Sequence, residues 1–275
     1  MTTPAPKRPH FRHPPIFEQA ISLNFERIRD FGIADPGLFY NVIREQFPVV
    51  ETGPRMQFST ELFEGQASSS TITVTPGMQL PRAIFRNISS GELIQFQDDS
   101  FVFNWVRPRP EAEYPRFEIT SARLWELFGL WSDFMRDQHE TRIRLRQCEL
   151  TNVNVIPVSD FGDDFDDMNR AFKVDPFEWN VEGLVAETYI RKRVHRMVAA
   201  DGRPIGRLHS VITPVFGDTG EKTFHFELTA RSAPNITTEE EARLFFDCAH
   251  STINGAFLAS VTDNMRALWG EEDGQ

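Results

Sequence analysis

Cysteine is nearly missing from this chain of 275 residues: only Cys148 and Cys248 occur, far apart. A pair this sparse gives neither a disulfide framework nor a zinc-ligand spacing. Both lie in apolar or mixed periodic segments, where a small buried hydrophobe suits a core. No run of about eighteen apolar residues is present to span a bilayer as a helix. The opening MTTPAPKRPHFRHPP lacks the apolar stretch of a secretory signal and reads as a flexible lead-in. The expected compartment is therefore the cytoplasm. Positive charge is also in deficit, with 29 Lys and Arg against 40 Asp and Glu, a net charge of −11. That balance argues against a general affinity for nucleic-acid phosphates, although a local basic strip remains compatible with it. No nucleotide loop, nucleophile elbow or paired-acid signature can be placed, so the chain reads as more consistent with binding than with catalysis. No cofactor and no metal is expected.

What is present is hairpin grammar. Glu92 to Gln97 and residues 101–107 flank Asp98-Asp99-Ser100, and both alternate apolar and polar positions as antiparallel strands do. Residues 17–27 alternate similarly before Gly32 and Pro36 break the run. Leu38, Val42 and Ile43 predict a helix after Asp35-Pro36 that stops before Pro48. Segments 54–63 and 70–75 look extended, with a loop over 65–70. Residues 119–139 carry a stripe through Leu124, Leu127, Phe128, Trp131, Phe134 and Met135, predicting a core helix. Strands follow at 143–155, 184–197, 204–216 and 222–231, with turns at Asp201-Gly202 and Asp218-Thr219-Gly220. Thr238-Glu239-Glu240-Glu241 opens a final helix with a capping box, and the stripe through His250, Phe257, Val261 and Leu268 carries it to about Trp269.

A meander followed by a long helix thus occurs twice. The expected fold is α+β, with antiparallel β-meanders each packed on a long amphipathic helix. The expected division is a lead-in over 1–14, an N-terminal lobe over 15–140, a C-terminal lobe over 141–270 ending in a long helix, and a tail over 271–275.

Five candidate surfaces emerge. Gln95 and Gln97 share one side of their strand, Asn104 points away from Phe103 and Trp105, and Asn152 and Asn154 share a face of a later strand. These amides could form a polar wall for a ligand or satisfy backbone groups at edges and bulges. Trp105 leads into Arg107-Pro108-Arg109-Pro110, whose prolines stop pairing and leave both arginines able to reach an anion, or to be balanced by Glu111 and Glu113. Arg191, Arg193 and His195 share one side of a strand and, with Arg207 and His209 on the next, could form a cationic face. Cross-strand acids could equally balance it. His250 follows Asp247 by three residues, so the carboxylate could orient the imidazole, or His250 could be a core residue. Asp160 to Asp167 is rich in carboxylates, but its spacing fits no calcium loop, and Asp160-Phe161-Gly162 lacks the other kinase elements.

Pro14-Pro15-Ile16-Phe17-Glu18, the LIQFQDDSFVFNW hairpin, Tyr114-Pro115-Arg116-Phe117-Glu118, Glu149 to Asn154, and the set Asp247, His250, Phe257, Trp269-Gly270 occur together in this order. In these words, over nearly its full length, the chain resembles a sporadically distributed family of prokaryotic proteins of uncharacterised function. The resemblance implies an accessory gene linked to defence or conflict systems, and carries no catalytic residues. The expected function is a non-enzymatic cytosolic adaptor recognising a macromolecular partner, most simply a protein from a neighbouring gene. Two alternatives stand beside it. One is an enzyme or sensor with a pocket between sheet and helix, lined by His250, Asp247, Gln95 and Asn152. The other is an acidic immunity or antitoxin-type protein.

Overall fold

The computed structural model describes residues 10–63, 80–173, 190–217 and 219–272. The elements in chain order are β1 (His10–Phe11), β2 (Ile16–Phe25), α1 (Asp35–Ile43), β3 (Val49–Gly53), β4 (Arg82–Asn87), β5 (Glu92–Gln97), β6 (Ser100–Val106), α2 (Phe117–His139) and β7 (Leu145–Pro157). They continue with α3 (Met168–Ala171), β8 (Arg191–Val198), β9 (Pro204–Phe216), β10 (Lys222–Ser232), α4 (Glu239–Ser260), α5 (Asp263–Leu268) and β11 (Glu271–Glu272). The expected segment 70–75, the loop before it, the start of the strand expected from 184, Asp218 and the tail from 273 lie outside the described residues.

The α+β expectation holds. Nine strands form one antiparallel sheet in the order β3-β4-β5-β6-β2-β7-β10-β9-β8. The central strand β2 pairs with β6 on one side and β7 on the other, so the sheet runs on across residue 140. Residue 140 is where α2 ends, with Glu140 in the left-handed region at φ 52° as its cap. On one face α2 packs against β6, and α4 lies across β7, β10 and β9. Trp131 of α2 is fully buried among Phe39, Phe96 and Phe101. Phe226 and Phe257 stack at 5.9 Å beneath the other half. Among the described residues no helix is long and apolar enough to cross a membrane.

Several boundaries differ from the sequence reading. The lead-in is tied down from His10, because β1 pairs with β11. Residues 54–63 form no strand; pairing falls instead at β3, and β4 is an additional strand. The final helix ends at Ser260, not near Trp269. Val261 is extended (φ −98°, ψ 152°) and bridges to Phe172, while the Thr262 side chain caps a new helix by accepting from the Met265 N–H. Leu268, expected on the buried stripe, is exposed.

Candidate functional site

The hairpin amides meet as alternation requires. Gln95 Nε2 donates to Asn104 Oδ1 at 2.8 Å, and Asn104 Nδ2 donates to Glu18. All three lie on the face of the sheet away from the helices. Burial pushes the Glu18 carboxyl up, against the Asn104 hydrogen bond and the Arg86 charge, and Glu227 adds to the rise. Gln97 holds the main chain of Met56 from both sides, accepting from its N–H at 3.0 Å and donating to its carbonyl at 2.8 Å. It thus stands in for a backbone partner.

Asn152 and Asn154 do share a face, but it is the opposite one. Gln19 Nε2 donates to Asn152 Oδ1 at 3.0 Å and to the Tyr114 hydroxyl at 2.6 Å, while Thr120 of α2 donates to Gln19 Oε1. Asn154 Nδ2 donates to the Phe226 carbonyl at 3.1 Å. A single pocket lined by Gln95 and Asn152 is therefore ruled out: β2 pairs Ala20 with Asn104 and Thr151, and Gln19 with Asn152, which puts the two amides on different sides of the sheet. Gln19, the hub of this network, was not identified from the sequence, where it looks like one polar residue in an alternating strand.

The arginines after Trp105 also part company. Arg107 donates to the carbonyls of Pro14, Ile16 and Ala112 at 2.8 to 3.0 Å, and to Pro110 at 3.3 Å. It is a bracket for the β2 entry, not a group free to reach an anion; Arg109 is exposed. Trp105 is 4% exposed and packs edge-on against Tyr114, so it offers no recognition surface. His250 stacks on Phe117 with ring centres 4.2 Å apart, and its Nε2 accepts from Asn254 at 3.0 Å, one turn along the helix. Asp247 is exposed. The aspartate-rich bend is a capped turn in which the Asp164 side chain accepts from the Phe165 N–H, Asp167 Oδ2 accepts from the Asp163 N–H, and Lys222 pairs with Asp164.

The basic run behaves differently again. Arg191, Arg193 and His195 line a groove between β8, β9 and α4, a cavity of about 420 Å³. Lys173 and the hydroxyls of Ser210, Thr252 and Ser260 complete its polar lining. The expected union with Arg207 and His209 does not occur. Arg193 pairs with Ser210 and Val194 with His209, so those two cations project from the other face. There they close on Glu61 of the 54–63 segment: Arg207 donates to its Oε2, His209 Nε2 lies 2.7 Å from Oε1, and Arg231 Nη1 donates to Oε1 at 3.0 Å. Burial alone would raise the Glu61 carboxyl, but the His209 and Arg207 hydrogen bonds and the Arg231 charge outweigh it and bring it to about 2. Nothing in the local sequence marks Glu61. At the other end of the same segment Arg55 pairs with Asp98 and Asp99, so residues 55–61 strap the helix-free face.

Chemically, the groove is suited to hold an anion. Three cations and three hydroxyls surround an aliphatic floor made by Leu208, Ile212 and Ala256. Comparisons with protein-family models, curated proteins and solved structures found no match.

Proposed function

We propose that this chain is a non-enzymatic binding protein that recognises an acidic segment of a protein partner at β8 and its groove. The observation that carries this reading is the character of β8. It is the last strand of the sheet among the described residues, and it bears Arg191, Lys192, Arg193, His195 and Arg196. Residues 192–196 are all exposed. An outer strand presents a row of backbone donors and acceptors that an extended peptide can use, and alternate side chains then set specificity. Cations on both faces of β8 favour a partner segment rich in Asp and Glu. The fate of the other candidates supports the same reading, since Gln97, Trp105, Arg107, Asn152 and Asn154 all serve the fold.

The resemblance of the sequence to an accessory prokaryotic family favours a defence-linked setting, with the partner encoded nearby. A cytoplasmic location suits Cys148, whose thiol is fully buried and pushed up by that burial. The test is binding of a poly-glutamate peptide to the full chain and to the Lys192→Glu, Arg196→Glu double variant. Binding that weakens about tenfold or more in the variant, and weakens further as salt rises, supports the reading. Equal binding by both proteins, or preference for single-stranded RNA over the peptide, overturns it.

A further inference from the structure

The α4 wall of the groove is built from small residues, among them Gly255, Ala256 and Ala259. Gly255 sits inside a 22-residue helix, and a Cβ built on it would meet nothing within 4 Å. Packing does not demand glycine there, and glycine weakens a helix interior relative to alanine. What it does is keep volume open opposite the basic strand. The cavity of about 420 Å³ lies within the range of small-molecule sites, and its floor is apolar while its rim is cationic.

We infer that this groove is a discrete pocket for an oxyanion carried on an apolar body, such as an aryl phosphate. The oxyanion meets Arg191, Arg193 and Lys173; the body lies on Leu208, Ile212 and Ala256. Guanidinium forks match the geometry of phosphate and carboxylate oxygens. The Lys173 ammonium is 3.2 Å from the exposed Asp263 carboxylate, a weak surface pair that leaves the lysine able to turn inward. A bare glutamate would use the rim and leave the floor wet, whereas a ring bearing a phosphate covers both. The inference rests on the reading of β8 as the partner site and specifies the group that the partner inserts there. The same chemistry could instead come from a free organic anion.

The full chain should be titrated with phenyl phosphate and with inorganic phosphate, following the amide resonances of Ser210, Gly255 and Ala256. Phenyl phosphate should bind at least tenfold more tightly, and Gly255→Leu should abolish that preference by filling the groove from its α4 wall without touching a charge. Ala259→Leu is the companion variant should Gly255→Leu unfold. Equal affinity for the two phosphates, or a preference that survives a folded filling variant, overturns the pocket. A poly-glutamate peptide with and without one phosphotyrosine separates the sources. Tighter binding of the phosphorylated form, lost in Gly255→Leu, assigns the group to the partner. If both peptides bind equally well to the wild type and to the filled variant, the pocket inference falls while the β8 reading stands. If neither peptide binds but phenyl phosphate does, the macromolecular reading falls and the pocket stands with a free anion as its ligand.

Discussion

Glu61 and His209 meet across the helix-free face of the sheet, carboxylate oxygen to ring nitrogen at 2.7 Å, although 148 residues separate them in the chain. Arg207 and Arg231 complete the cage, and the Glu61 side chain is only 5% exposed. Glu61 thus ties the Arg207 and His209 side chains of β9 to Arg231 of β10, which also pairs with Glu149, on the face opposite Arg191, Arg193 and His195. Arg207 and His209 are thereby held apart from the cations that line the β8 groove.

Removing the Glu61 carboxylate should leave the partly buried Arg207 and His209 without their acid, while Arg231 keeps Glu149. Glu61→Ala is expected to cost about 3 kcal/mol, measured by urea unfolding. The sign of the pH effect follows from the direction of the shift. Glu61 is held at about 2 against an ordinary 4.5, so its contribution is present above pH 4.5 and disappears as pH falls towards 2. Wild type should therefore lose more stability than Glu61→Ala over that interval. A constant difference between the two proteins from neutral pH down to 2 would refute the coupling.

Glu18 runs the other way. Its carboxyl is pushed up by burial, so the folded state favours the protonated form, and the associated stability is present at acid pH and lost as pH rises through the folded value. Glu18→Gln mimics the protonated form beside Asn104. The variant should be more stable than wild type at pH 8 and indistinguishable from it near pH 4, as read by thermal melts. Destabilisation at pH 8 would mean that the ionised carboxylate is needed there.

Arg107 and Arg109 offer a paired test of structure against recognition. Arg107→Ala strands carbonyls of Pro14, Ile16 and Ala112 that its guanidinium now satisfies, so a loss of roughly 2–3 kcal/mol is expected. Burial also lowers the pKa of this guanidinium, consistent with a bracket and not a solvated charge. Arg109→Ala should stay within about 0.5 kcal/mol of wild type. Reversed magnitudes in denaturant titrations would restore the surface role for Arg107.

Legibility in the sequence followed the range of the interaction. Alternation within one strand was readable: Gln95 and Gln97 share one side of β5, Asn152 and Asn154 one side of β7, and Arg191, Arg193 and His195 one side of β8. Register between strands was not, and a pairing one residue off sends Arg207 and His209 to the far side. The capping box at Thr238 was legible because it is local, with Glu241 three residues on. The break at Val261 had an equally local signal, since Thr262-Asp263 is a helix start, but the apolar stripe through Val261 and Leu268 concealed it. Glu61 and Gln19 left no trace, because their partners come from distant segments and their own neighbourhoods are ordinary; Arg107 was marked by its flanking prolines, but as a group reaching an anion, because the Pro14 and Ile16 carbonyls it holds are distant in sequence.

The buried amide of Gln19 supplies the sharpest measure of how much the core depends on polar matching. Its Nε2 serves both Asn152 and the Tyr114 hydroxyl, and its Oε1 accepts from Thr120, so β2, β7 and α2 are registered on one side chain that is fully buried. Tyr114→Phe removes one partner and leaves a donor still bonded to Asn152, so about 1 kcal/mol is expected. Gln19→Leu strands Asn152 and Tyr114 together, while Thr120 falls back on the Arg116 and Phe117 carbonyls, and about 3 kcal/mol should be lost. The double variant should then cost less than the sum of the two, because the tyrosine hydroxyl has no amide left to lose. Strict additivity in urea unfolding would show that the hydroxyl and the amide stabilise the fold independently, and that α2 is seated on the sheet by its apolar stripe alone.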